Sequence, residues 1–174
     1  MSDIDALAKA LGEACLASGF KVVTAESCTG GGVGEAITRV PGSSAWYDRG
    51  FVTYSDHAKA EILGVKAETL GNHGAVSEAS AREMAKGALQ QSDADIAVAV
   101  TGIAGPDGGT TAKPVGLVWF AWASLAGKVE SRFEIFGGDR AAIRAQAVAE
   151  ALRGLARMAA GEEAQPAAGD GTVH

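Results

Sequence analysis

Two apolar runs, residues 21–25 and 95–101, each break off into a glycine-rich stretch, and this repeated order constrains the fold more than anything else in the chain. The first runs into Glu26-Ser27-Cys28-Thr29-Gly30-Gly31-Gly32, the second into Gly102-Ile103-Ala104-Gly105-Pro106-Asp107-Gly108-Gly109. The second run is continuously apolar from Ile96 to Val100, the mark of a strand covered on both faces. After the first glycine stretch, Val33, Ala36, Ile37 and Val40 recur at helical spacings of three and four. Strand, tight turn, helix is the order this predicts. Two strands that end in glycine loops imply an α/β sheet with helices packed on its faces. Ligands of open α/β sheets lie off the carboxyl ends of the strands, so both loops are expected to line one pocket.

The remaining segments fill in a three-layer α/β/α sandwich. Ile4, Leu7, Ala8, Leu11, Ala14 and Cys15 form one helical stripe, which Ser2 can cap and Gly19 can end. Pro41-Gly42 stops the second helix. Phe51-Val52-Thr53-Tyr54, within 47–54, reads as a strand. Ser55 or Asp56 can cap a short helix carrying Lys59, Ile62 and Leu63, with Gly64 at its end. Ser77 heads a longer helix over 78–90. Residues 115–123 and 129–136 read as a hairpin turning at Gly127-Lys128, so the sheet is expected to be mixed and mostly parallel. Gly137-Gly138-Asp139-Arg140 leads into a last helix reaching about Met158. From Gly161 onward Glu, Ala, Gly, Pro and Asp dominate, which predicts one domain over 1–160 and a disordered tail over 161–174.

Composition excludes several classes of function. Fifteen basic against 21 acidic residues leave a formal charge of −6, which argues against a general grip on nucleic acid. No apolar run approaches the ~18 residues of a membrane span, and the N-terminus lacks the basic-then-apolar order of a signal peptide. Two cysteines, Cys15 and Cys28, make no disulfide framework in 174 residues, so a reducing cytoplasm is expected. His57, His73 and His174 show no zinc-ligand spacing.

The first glycine stretch carries the chemistry. It would leave the Ser27 hydroxyl at the end of a strand, facing amide N–H groups that open a helix and favour an anion. A nucleophile beside an anion hole is the minimum apparatus for acyl transfer. The same turn also suits a serine that only caps the helix, or a phosphate cradle without chemistry. No Gly-Lys-Ser follows, so it is no P-loop; Glu26 directly precedes Ser27, so it is no Gly-x-Ser-x-Gly elbow.

A wider set of motifs resembles the nicotinamide-nucleotide amidase family, the CinA C-terminal domain, across roughly residues 5–158. Its carriers are Thr24-Ala25-Glu26-Ser27-Cys28-Thr29-Gly30-Gly31, Pro41-Gly42-Ser43-Ser44, Gly50-Phe51-Val52-Thr53-Tyr54-Ser55 and Lys59. They continue with His73-Gly74-Ala75-Val76-Ser77, residues 101–109, Lys113-Pro114-Val115-Gly116 and Gly138-Asp139-Arg140. The resemblance implies hydrolysis of the carboxamide of nicotinamide mononucleotide to the acid, with release of ammonia. Longer relatives carry a further N-terminal domain, so this chain looks like the stand-alone form.

Ser27 is then the expected nucleophile. With no histidine in a comparable motif, Lys59 can act as base if burial or a nearby cation lowers its pKa, and Tyr54 can relay the proton or orient the amine. The amides of Cys28, Thr29, Gly30 and Gly31 are candidates for an oxyanion hole. Thr101, Gly102 and Gly105 are expected to shape the opposite wall. Asp107 can hold ribose hydroxyls or stabilise its own turn, and Arg140 can grip the phosphate or simply start a helix. Two alternatives stand beside this reading: a Cys28 nucleophile with Glu26 and Lys59, and a nucleotide-binding regulatory module without turnover. No metal or organic cofactor is required. The expected partners are a small-molecule nucleotide and further copies of the chain, with no membrane.

Overall fold

The structure, a computed structural model, describes residues 2–162, so the expected tail lies outside it except for Gly161 and Glu162. In chain order the elements are α1 (Asp3–Ser18), β1 (Val22–Glu26), α2 (Gly32–Thr38), β2 (Tyr47–Val52), α3 (Asp56–Leu63) and α4 (Ala67–His73). They continue with α5 (Glu78–Gln90), β3 (Ile96–Gly102), β4 (Leu117–Ser124), β5 (Val129–Ile135) and α6 (Arg140–Ala159). Four helix starts are set by side-chain caps: Ser2, Ser55, Ser77 and Asp139 each accept a backbone N–H of the first turn. Gly19 and Gly64 close α1 and α3 in the left-handed conformation. The sequence gives no sign of α4, which has no side-chain cap and no buried residue, hence no apolar stripe to read.

The strands form one sheet in the order β2-β1-β3-β4-β5. β1 lies parallel to β2 and β3, whereas β4 is antiparallel to both β3 and β5. Four strands therefore share a direction and β4 alone opposes them, the mixed sheet that the hairpin implies. Helices cover both faces, and alternation along the strands divides the core. Ile96, Val98, Val100, Phe120 and Trp122 face α1, α2 and α6, while Ala97, Ala99, Ala121 and Ala123 face α5.

Small residues on the α5 side let that layer sit close to the sheet, and α3 packs against α5 in turn. The contact is tightest at Gly87, where a Cβ would lie 1.8 Å from the Leu63 carbonyl oxygen at the end of α3. No side-chain rotation relieves a clash with backbone, so the two helices must separate. Gly87→Ala is expected to destabilise the fold by about 1–3 kcal/mol, read as a lower urea midpoint at unchanged m-value.

Candidate active site

Ser27 follows β1 directly, and two backbone bonds extend the ladder to fix it. Its N–H donates to the Val100 carbonyl on β3 at 2.9 Å, and the Thr53 N–H donates to the Glu26 carbonyl at 2.9 Å. The chain then turns through Cys28–Gly31, with the Gly30 N–H donating back to the Ser27 carbonyl at 3.0 Å. Gly31 sits at φ 102°, a left-handed backbone that admits glycine readily.

The anion at the start of α2 is the protein's own. Glu26, 1% exposed, accepts the Thr29 hydroxyl at 2.7 Å, the Val33 N–H at 2.8 Å and the Gly34 N–H at 3.1 Å. The helix amides expected to face Ser27 are thus taken by a carboxylate on the opposite face of the sheet. Side chains alternate along an extended strand, so Glu26 points toward α2 and Ser27 toward α3.

On that side, Lys59 of α3 is 1% exposed and reaches Ser27 from below. Its Nζ lies 3.0 Å from Ser27 Oγ, 2.8 Å from the Thr53 carbonyl oxygen and 3.1 Å from the Tyr54 carbonyl oxygen. No carboxylate completes the set; Asp56 acts only at a distance and opposes the shift. Burial pushes the amine below its ordinary value of 10.5. A neutral amine has two hydrogens and one lone pair. With the two carbonyls taking those hydrogens, a neutral Lys59 would turn its lone pair to the Ser27 hydroxyl, whereas the ammonium form donates to Ser27 Oγ as well.

The other expected residues fall into a second group around Arg140. One guanidinium nitrogen donates to the Gly105 carbonyl at 2.7 Å, another to the Tyr54 hydroxyl at 3.1 Å. Tyr54 therefore joins the two groups, its carbonyl on Lys59 and its 61%-exposed side chain on Arg140. Its hydroxyl is not among the hydrogen-bond partners of either Ser27 or Lys59. Thr101 is buried, its hydroxyl donating to the Ala75 carbonyl at 2.9 Å, and Gly102 is packed against Leu117 and Val118. Asp107 is exposed, and its carboxylate pairs with nothing among the described residues.

Cys28 is buried, and desolvation pushes its thiol up to about 11, so at neutral pH it is protonated. Its carbonyl and that of Thr29 accept from Arg144, both at 3.1 Å. Arg144 escaped the sequence reading. The available signal was its place four residues after Arg140, one turn along the same helix face. The carbonyl of Thr53 could not be read from sequence, because any residue supplies one. Among the described residues, no group of three His, Cys, Asp or Glu side chains is placed to hold a metal ion. Nor is any helix long and apolar enough to cross a membrane.

This geometry stands within a known fold family. The model of the CinA C-terminal domain matches residues 4–159. The chain belongs to that family. It is 56% identical over 154 residues to the nicotinamide-nucleotide amidohydrolase PncC of Escherichia coli K12, a match covering 88% of this chain and 93% of that protein. It is 52% identical to the PncC of Pseudomonas putida over 158 residues, covering 91% and 98% respectively. Among solved structures, a competence/damage-inducible protein of Agrobacterium tumefaciens superposes with a TM-score of 0.87 at 49% identity, covering 89% of this chain and 94% of that one.

Glu26 offers a direct test of how the turn is held. Glu26→Gln must set an amide N–H₂ against one of the donors Thr29 Oγ1, Val33 N–H or Gly34 N–H. The variant is expected to lose about 1–3 kcal/mol of stability in urea unfolding, since both carboxylate oxygens are buried and occupied.

Proposed function

We propose that the chain hydrolyses the carboxamide of nicotinamide mononucleotide to nicotinate mononucleotide and ammonia, with Ser27 as nucleophile and Lys59 as general base. The observation that carries the mechanism is the buried Lys59 amine, 3.0 Å from Ser27 Oγ and held by two carbonyls. The relatives named nicotinamide-nucleotide amidohydrolases support the substrate. Lys59 takes the Ser27 proton as Oγ bonds to the carboxamide carbon. The same proton passes to the amide nitrogen, the C–N bond breaks and ammonia leaves. Water, deprotonated by Lys59, then attacks the ester; the carboxylate departs and the proton returns to Ser27.

Of the four expected oxyanion donors, the Gly30 N–H is taken by the Ser27 carbonyl, while those of Cys28, Thr29 and Gly31 have no backbone acceptor among the described residues and on this reading are left for the oxyanion. Tyr54 serves the base through its carbonyl, while its hydroxyl and Arg140 face the phosphoribosyl end. On the same reading the enzyme is cytoplasmic and self-associating. A buried lysine without a carboxylate is costly to a fold, which a module that merely binds nucleotide has no need to carry. A Cys28 nucleophile is disfavoured by a thiol raised to about 11, whose proton no base approaches as Lys59 approaches Ser27.

Ammonia release separates these readings. Ser27→Ala is expected to lose activity by about 1000-fold or more while still binding the product mononucleotide, and Cys28→Ala to keep most of it. The reverse pattern would move the chemistry to the thiol. The state of Lys59 is tested by pH. A base works deprotonated, so kcat/KM should rise with pH through the lowered Lys59 pKa and level off below 10.5. Lys59→Arg, which stays charged, is expected to fall by about 100-fold or more; near wild-type turnover would show that the residue supplies only charge.

A further inference from the structure

Val100 of β3 pairs with Glu26 of β1, and Thr101 pairs with Trp119 of β4. Ser27, Thr101 and Trp119 therefore stand abreast on the α5 face, about 4.8 Å apart per strand. Thr101 is roofed by the Ala75 carbonyl, which makes the segment around Ala75 a wall. Beyond that wall lies a cleft of about 640 Å³ lined in part by Asn72, His73, Ser77, Arg82, Lys113 and Trp119. Its size suits a small-molecule ligand. Ser27, Lys59 and Arg140 are not in its lining.

Two sequence blocks that the chemistry at Ser27 leaves unused meet here. Lys113 Nζ donates to the His73 carbonyl, tying the Lys113-Pro114-Val115-Gly116 block to His73-Gly74-Ala75-Val76-Ser77. Gly74 has φ 77°, and a Cβ there would stand 3.0 Å from Lys113 Nζ, so glycine leaves the ammonium its seat. Arg82 shares its guanidinium between the Ser131 hydroxyl at 3.0 Å and the Glu78 carboxylate at 3.6 Å. Lys113 has no carboxylate partner among the described residues, only that carbonyl. In a chain of net charge −6 this is an uncompensated cation beside an aromatic wall. Trp119 is held in place by Phe133, with ring centroids 5.0 Å apart.

We infer that this cleft binds a phosphorylated heteroaromatic of mononucleotide size, with its phosphate on Lys113 and its ring against Trp119. Naming the ligand a mononucleotide rests on the amidase reading; the anion seat does not. The same chemistry has two sources, the phosphoribosyl end of the substrate itself or a second mononucleotide molecule.

The test is calorimetric titration of nicotinate mononucleotide and of inorganic phosphate into Ser27→Ala chains, with and without Lys113→Ala or Lys113→Arg. Ammonia-release kinetics are run on the same Lys113 variants and on Arg140→Ala with Ser27 intact. Thermal midpoints equal to the parent's confirm folding. Lys113→Ala is expected to weaken mononucleotide binding by about tenfold or more, as loss of a charged hydrogen bond does, and Lys113→Arg to restore most of it. One molecule per chain, with KM raised by Lys113→Ala more than by Arg140→Ala at unchanged kcat, identifies the substrate's own phosphate. Two molecules per chain, one lost with Lys113 at unchanged KM, identify a second ligand. Affinity and stoichiometry indifferent to Lys113→Ala overturn the site, even if ammonia release is robust. Lys113-dependent binding in a chain that releases no ammonia overturns the amidase reading and leaves the site standing.

Discussion

A lysine amine buried beneath a serine hydroxyl, with two peptide carbonyls for company, is the constraint around which the rest of this molecule is organised. Burying an ammonium is costly unless hydrogen bonds or a counter-charge offset it, and Lys59 has the first without the second. The absence of a neighbouring carboxylate leaves the charged form under-compensated, and burial pulls the amine below its ordinary value of 10.5. A carboxylate at the same distance would hold the proton on the lysine, against the base role proposed for it. The backbone of Thr53 and Tyr54 thus orients the amine without the full counter-charge of a carboxylate.

Glu26 presents the opposite charge, one residue away from Ser27 and on the other side of the sheet. It too is satisfied by backbone and hydroxyl donors, the amides of Val33 and Gly34 and the Thr29 hydroxyl. Two buried ionisable groups therefore flank Ser27 without pairing with one another. Strand alternation keeps them apart, because consecutive residues of β1 point to different layers. Arg144 holds the far side of the same turn through the carbonyls of Cys28 and Thr29. The loop that bears Ser27 is fixed from three directions, which is the preorganisation that the proposed nucleophile and oxyanion donors would require.

The asymmetric core makes this arrangement possible. Large side chains fill the layer beneath α1 and α6, whereas alanines line the α5 layer. A thin layer brings α5 close to the sheet and, through Gly87, brings α3 close to α5. The reach of Lys59 to Ser27 depends on that spacing. A bulkier α5 layer would lift α3 away from β1, and a lysine side chain has no spare length once it is also bound to two carbonyls.

The sequence by itself determined the strand–turn–helix units, three helix caps, the hairpin and the residues that would matter. These are local matters: an apolar run, a capping hydroxyl or a glycine signals its structure through neighbours a few positions away. Ser27 and Lys59 could be singled out from the residues and the resemblance together, but their 3.0 Å approach spans 32 positions of sequence. Only the tertiary structure decided that Tyr54 meets Lys59 through its carbonyl and Arg140 through its hydroxyl, since side chain and backbone of one residue point different ways. It also decided that the α2 amides belong to Glu26 rather than to an oxyanion at Ser27, because strand pleating, not the order of residues, assigns each side chain to a face. α4 was illegible because it buries no stripe, and the spacing of Arg144 from Arg140 could not show that it acts on carbonyls more than a hundred residues away.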